Sequence, residues 1–453
     1  MTTIGGRIPL GPAEKYRTSQ DLLGWMGDQF QRFGDTYSAS IYGTSVYVTR
    51  DPRHAQHVLR ENWQNYVKGQ AIKRVALLLG NGLMVSEGEF WKTQRRMIQP
   101  AFHRTAIATL IKVIAASNVA LLERWQEAAH KKISVNVTRD VSGMVLEVML
   151  ISIFGADYEQ VAPRFNILSE ESMRNLEFAQ AFRSIEKIIL QLAAQRRREK
   201  TTSTDILGML MEARDLKSGQ AMSDHQLVNE IKTIIVAGHE TTASTLSWIW
   251  YLLSQHPVVE KKLSSELNQL LGSESPVLEC LPKFAYTRQV LDEALRLYPA
   301  GWLLTRRALK DDQLGDYFVP AGTEIYISPY FIQRHPDLWE EPDRFNPDRF
   351  GPDHPQDRHP LAALPFSTGG RNCIGEVFAR VEMQIHLMIV ARQLRLRLVQ
   401  TTPPELDIGV NLRCKHDFIM NPELKSPANP DLAFKSRRTF SAQPDGIENR
   451  SRR

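Results

Sequence analysis

The residues most able to do chemistry gather between Phe366 and Ala379, FSTGGRNCIGEVFA, where a glycine-rich loop leads a lone cysteine into an amphipathic helix. Ile374, Val377, Phe378, Val381, Ile385, Met388 and Ile389 recur on one face of that helix. Cys373 then lies at the helix's amino end, where free N–H groups and the positive dipole end favour a thiolate. Gly369, Gly370 and Gly375 let the backbone turn and approach a flat object closely. The pattern suits a thiolate presented to one face of a metal-bearing cofactor. An inert buried cysteine, the commoner fate of a lone thiol, needs neither the glycine loop nor Arg371 two residues upstream.

This stretch resembles the haem-binding signature of the cytochrome P450 (haem-thiolate monooxygenase) superfamily, Phe-x-x-Gly-x-Arg-x-Cys-x-Gly. Phe366, Gly369, Arg371, Cys373 and Gly375 meet it without departure. Further segments match in the family's order, so the resemblance covers Tyr37 to Met420. AGHETT, Ala237 to Thr242, is similar to the oxygen-binding helix, in which Gly238 would let the helix approach the haem. A zinc-protease reading of His239-Glu240 fails, because His-Glu-x-x-His needs a second histidine where Ala243 stands. EALR places Glu293 and Arg296 on one helical face. The family pairs them with an arginine in Phe-x-Pro-x-Arg-Phe, which Phe345, Pro347, Arg349 and Phe350 meet. Arg349 is therefore expected in that structural role rather than Arg344. Trp91 and Arg95, one turn apart, resemble the propionate-binding Trp-x-x-x-Arg, and RRALKD assigns Arg306 the same role.

The resemblance implies a mainly α fold with small β-sheets (α+β) and a long central helix over haem b (iron protoporphyrin IX). Cys373 would be the metal ligand. Arg371, Trp91, Arg95, Arg306, Phe366, Gly369, Gly375, Ala237 and Gly238 would contact the cofactor. The implied reaction inserts one oxygen atom of O2 into a C–H bond or alkene of a hydrophobic fatty acid, terpenoid or steroid. Thr241 would hydrogen-bond the bound oxygen while Glu240 gates proton entry, Cys373 completing the catalytic set. Ala237, Gly301, Trp302 and the segment between Tyr66 and Phe90 would line the substrate pocket. A peroxide user or isomerase of the same fold would lack the acid and alcohol pair, and a haem sensor would leave that pair without a purpose.

The elements that must position these residues are also legible. SDHQLVNEIKTIIVAGHETTASTLSWIWYLLSQHP opens on a Ser223/Gln226 capping box and keeps helical periodicity towards Pro257. Such a helix spans ~48 Å at 1.5 Å per residue, the diameter of a large domain, so one body is expected over residues 1–420. YSASIYGTSVYVTRDP predicts a hairpin about a Gly43-Thr44 turn. Past Pro422, Pro, Ser, Asn and charge displace aliphatic residues, and 421–453 read as a strand end with an extended or disordered basic tail.

Composition narrows the function classes. Of 453 residues, 42% are hydrophobic and 24% charged, ordinary for a protein with a large core. Three scattered cysteines, Cys280, Cys373 and Cys414, exclude a disulfide framework or structural zinc site and favour a reducing compartment. The net charge is +5, and three of those charges come from the tail, so nucleic-acid binding is not expected. The most apolar stretch, Thr245 to Leu253, is too short to span a bilayer, which takes about 20 residues. No membrane anchor, a cytoplasmic location and a monomer are expected. No cysteine set could hold an iron–sulfur cluster, so electrons are expected from a separate ferredoxin and ferredoxin reductase.

Overall fold

The computed structural model describes residue 16 and residues 21–165, 176–271, 276–353 and 357–425. The basic tail past 425 lies outside the described residues. Eight helices position the site: α1 (Leu22–Phe33), α2 (Gln70–Leu79), α3 (Gly88–Ile98), α4 (Arg104–Lys131), α5 (Val137–Phe154), α6 (Asp224–Gln255), α7 (Ala285–Leu297) and α8 (Glu376–His386).

Helix α6 is the axle, and 32 residues long. Its start is set by chemistry local to the sequence: Ser223 accepts from the Gln226 N–H, and the Gln226 side chain accepts from the Ser223 N–H. Its length is set by surroundings, because α5, α7 and α8 pack against it and leave few of its residues in water. A helix apolar all round is stable only in that position.

Two aromatic residues of α6 tie it to the rest. Trp248 stacks on Tyr298 at 3.8 Å between ring centroids. Trp250 meets Trp125 of α4 edge-on and its Nε1 donates to His386 Nε2 at 2.8 Å. That bond makes Nε2 an acceptor, so the His386 proton sits on Nδ1 and is donated to Asn118 Oδ1, 2.7 Å away. Burial pushes the imidazole down to about 3, so it stays neutral. This chain joins α4, α6 and α8, and α8 carries the cysteine loop at its amino end.

The strands are β1 (Thr36–Ile41), β2 (Thr44–Thr49), β3 (Tyr66–Lys68), β4 (Val135–Asn136), β5 (Leu304–Ala308), β6 (Asp312–Leu314), β7 (Tyr317–Val319), β8 (Glu324–Ile327), β9 (Leu394–Leu398), β10 (Leu406–Ile408), β11 (Leu412–Cys414) and β12 (Ile419–Leu424). A five-stranded sheet has the order β1-β2-β8-β5-β3, and a three-stranded one β4-β12-β9, while β6–β7 and β10–β11 are hairpins. Among the pairs of these described strands, β2–β8 alone is parallel. The first hairpin turns one residue earlier than its sequence suggests, at Tyr42-Gly43, with φ of 49° and 78°. A two-residue turn that follows strand twist needs both residues at positive φ, and Thr44, β-branched, is the first residue of β2 instead.

One expectation is corrected here. Arg104–Lys131 and the helical run Val137–Val161 are both long and apolar enough to cross a membrane, unlike the nine-residue stretch from Thr245 to Leu253. About half of each apolar window is buried inside the protein, the pattern of a core helix. The apolar residues of α4 and α5 face α6, α8 and β12.

Candidate haem-thiolate site

The cysteine loop is held from three sides. Gly369 has φ of +72°, and a side chain there would fall on the Leu59 carbonyl oxygen of the π-helical turn His57–Glu61. Gly370 lies under the Trp63 indole, 3.0 Å from where a Cβ would sit. At Gly375 a Cβ would meet only the Cys373 sulfur at 4.0 Å, so this glycine keeps the thiol's surroundings clear. The Cys373 N–H donates to Phe366 O at 2.9 Å, closing the loop on itself.

Cys373 lies just ahead of α8, whose cap is Gly375. It is an exposed residue with no disulfide partner, yet the protein encloses much of the thiol. That enclosure pushes the thiol above its ordinary range, while the N–H groups of Gly375 and Glu376, and Arg95, pull the other way. In the protein alone, burial thus outweighs the helix start that the sequence pointed to. A bound metal deprotonates a coordinating thiol outright.

Beside the loop is an excess of buried positive charge. Arg371 lies over the Trp91 ring at 4.6 Å and pairs with Glu87, but its Nε and Nη1 are buried without a partner. Arg306 is buried, donates to Thr305 O, and is pushed down to about 10 by burial and by Arg371. Arg95 of α3 donates from Nη1 to Asn372 O at 2.7 Å and from Nη2 to Asn372 Oδ1 at 2.9 Å. Lys68 of β3 donates to Leu83 O and Ser86 O, and burial with Arg371 pushes it down to about 7. Orphaned buried guanidinium N–H groups call for anionic oxygens. The propionates of haem supply two, so the residues present fit that group.

Sequence reasoning gave Lys68, Glu87, Trp63 and Asn372 no role at the cofactor, although Lys68 and Glu87 lie in the segment expected to line the pocket. Asn372 and Glu87 adjoin recognised motifs, so proximity was a signal for them. Lys68 and Trp63 sit in segments with no pattern of their own, and only the β3–β5 pairing brings Lys68 opposite Arg306.

On α6, Ala237 is exposed between buried stretches, and Thr241 follows one turn later on the same face. Thr241 Oγ1 donates to Ala237 O at 2.8 Å. Glu240 accepts from Asn411 Nδ2 at 2.9 Å. A Cβ on Gly238 would fall on the Met149 methyl, so this glycine is where α6 meets α5. His239 Nε2 lies 2.9 Å from Ser142 Oγ and 3.1 Å from Ser142 O, and burial pushes it down to about 4. It is a neutral clamp between α6 and α5. Among the described residues no group of three or more His, Cys, Asp or Glu could hold a metal ion.

The structural triad lies apart from this chemistry. Glu293, fully buried, accepts from Arg296 Nε at 2.6 Å, Arg296 Nη2 at 2.9 Å, Arg349 Nε at 3.0 Å and the Asn346 N–H at 2.9 Å. Arg344 instead pairs with exposed Glu341. In the turn after Pro299, nothing stands within 4 Å of a Cβ on Gly301. Trp302 is buried, its Nε1 donating to Gly409 O at 3.1 Å.

The cytochrome P450 family model matches residues 9–182 and 162–422. The chain belongs to the cytochrome P450 family. This P450 is 31% identical over 390 residues to cyclooctat-9-en-7-ol 5-monooxygenase of Streptomyces melanosporofaciens, covering 82% of this chain and 84% of that protein. It is 30% identical over 395 residues to pentalenene oxygenase of Streptomyces avermitilis, covering 83% and 86%. Among solved structures, the retinoic acid-bound cyanobacterial CYP120A1 superposes with a TM-score of 0.83 at 24% identity, over 93% of this chain and all of that one. That likeness concerns the fold. With the signature, the cation set and these relatives together, this P450 is a haem-thiolate monooxygenase with haem as its cofactor.

Proposed function

We propose that this P450 oxidises a terpenoid-like hydrocarbon or its alcohol, with Cys373 as the iron ligand and Glu240 and Thr241 delivering protons. Electrons come from a separate ferredoxin and its reductase, in the cytoplasm. The observation that carries the site reading is Cys373, an exposed residue free of any disulfide, beside a buried guanidinium with two orphaned nitrogens. The substrate class rests on the relatives, two of which are named for pentalenene and a cyclic alkenol. Arg60, exposed on the turn that packs against the cysteine loop, supports docking of an acidic electron donor on that side.

When bound, haem with a thiolate ligand supplies the oxygen chemistry. The chain's residues do the rest. Arg371, Arg306 and Arg95 would hold the propionates, and Trp91 backs Arg371. Ala237 leaves room for substrate beside the helix, where a larger side chain would fill it. Thr241 holds a hydroxyl one turn away, and Glu240, a fifth exposed, can draw protons from solvent.

The test is the reduced carbon monoxide difference spectrum of purified protein beside Cys373→Ala. A strongly red-shifted Soret band that disappears in the variant is expected; a band indifferent to the mutation refutes the ligand assignment. Substrates are then screened by spin-state shift with pentalenene, lauric acid, retinoic acid and progesterone. A shift with the fatty acid or steroid alone overturns the substrate class. Failure of every ferredoxin and reductase pair to reduce the haem overturns the partner.

A further inference from the structure

Glu240 and Thr241 are chain neighbours whose polar atoms go to different places. The Thr241 hydroxyl stays on its own helix. The Glu240 carboxylate leaves it and is taken by the hairpin β10–β11. Asn411 Nδ2 donates to Oε2 at 2.9 Å, and Arg413 Nη1 to Oε1 at 3.4 Å. Arg413 is also held across the ladder by Asp407, whose Oδ2 is 2.9 Å from both Nε and Nη2. The hairpin is itself anchored. Leu412 N donates to Ala300 O at 2.9 Å, Ser244 Oγ of α6 to Leu412 O at 3.0 Å, and Trp302 Nε1 to Gly409 O at 3.1 Å.

Both carboxylate oxygens of Glu240 therefore face donors, and each donor sits on a braced element. Donors on both oxygens fix the direction in which the carboxylate points. To take up a proton and pass it inward, Glu240 must give up at least one of these bonds. The grip is graded: the amide bond is short, whereas Arg413 is nearer Asp407 than Glu240 and keeps a partner when Glu240 leaves.

We propose that hairpin β10–β11 is a latch on the proton-delivery acid, with Asn411 and Arg413 as positioning residues that hold Glu240 between proton transfers. This rests on reading Glu240 as that acid. In the balanced reaction, substrate, O2, two electrons from reduced ferredoxin and two protons yield oxidised product and water. Each proton passes from solvent to Glu240 and on to the reacting oxygen, returning Glu240 to the ionised form that the latch recaptures.

The test uses the haem-loaded full chain with Asn411→Ala and Arg413→Met, each made alone and combined with Glu240→Gln. Product per reduced nicotinamide, hydrogen peroxide and the solvent isotope effect on kcat are measured with the member of the panel above that gives the largest spin-state shift. Both single variants are expected to keep the carbon monoxide spectrum and KM, and to lose roughly 3- to 10-fold in product per electron pair, with peroxide replacing it and a changed isotope effect. In the Glu240→Gln background neither should add a further loss. Independently of turnover, Glu240→Ala should speed amide exchange at 409–413 severalfold in the resting protein. If Glu240→Gln lowers coupling while both hairpin variants behave as wild type, the latch is refuted and the acid reading stands. Further losses in the Glu240→Gln background, or unchanged amide exchange, also refute the latch. If Glu240→Gln itself leaves coupling and isotope effect unchanged, the underlying reading fails.

Discussion

Replacing Arg349 by Met should damage this P450 far more than replacing Arg344 by Met, five residues away. Arg349 is buried; besides Glu293 it donates to the carbonyls of Glu340 at 2.9 Å, Glu341 at 3.3 Å and Arg344 at 3.2 Å. Removing one partner from a buried charged network costs about 3–5 kcal/mol, because the groups left behind are not resolvated. The Arg344–Glu341 pair is more than half exposed on both sides, and such pairs contribute ~0–1 kcal/mol. With an unfolding entropy of about 2.1 cal/mol/K per residue, a chain of 453 residues changes its melting temperature by ~1 °C per kcal/mol. Arg349→Met should then melt ~3–5 °C lower and Arg344→Met within ~1 °C of wild type. Differential scanning fluorimetry of the haem-loaded proteins, with the Soret band followed in parallel, reads both. The Arg349 variant should also lose haem at lower temperature, since the 3-10 turn Pro347–Phe350 packs on α7, which in turn packs on α8 behind the cysteine. Equal shifts for the two variants would refute the argument that burial, rather than spacing to Glu293, decides which arginine matters.

Glu230 of α6 is buried with its Oε2 on the Leu83 N–H, and burial pushes its carboxyl up to about 7. The folded chain then holds a proton that the unfolded chain releases above about 4.5, so this residue destabilises the fold increasingly from pH 4.5 to 7 and by a constant amount above. Glu230→Gln should gain on wild type by up to ~1.4 kcal/mol per pH unit across that window, and a pH-independent difference in urea midpoints would contradict it. Gly369→Ala should abolish the red-shifted carbon monoxide band, since positive φ alone costs ~1–2 kcal/mol and the Leu59 carbonyl blocks the methyl; full haem incorporation would count against the loop geometry. Cys373→Ala should lose the same band while far-ultraviolet circular dichroism stays near wild type, and loss of helix content would mean that the cysteine is structural.

Local patterns in the sequence carried the motifs because their causes are local. The Ser223/Gln226 box starts α6 through bonds three residues apart, and Glu293 and Arg296 meet at i, i+3. The signature from Phe366 to Gly375 is contiguous, so its order survives without any tertiary knowledge. Gly43-Thr44 was one residue off because a turn is set by positive φ at two positions, and Tyr42 accepts one against its ordinary preference.

What only the tertiary structure decided involves partners far apart in the chain. Arg349, which the motif spacing already favoured, is buried against Glu293 across 56 residues, while Arg344 stays exposed. Glu87 meets Arg371 across 284 residues and Asn411 meets Glu240 across 171, pairings that no periodicity encodes. Packing also pushes the Cys373 thiol up, since enclosure by protein outweighs the N–H groups of Gly375 and Glu376 and the charge of Arg95. Sequence spacing fixes which side chains share a helix face; desolvation and long-range contact fix which of them are charged, paired or left waiting for a ligand.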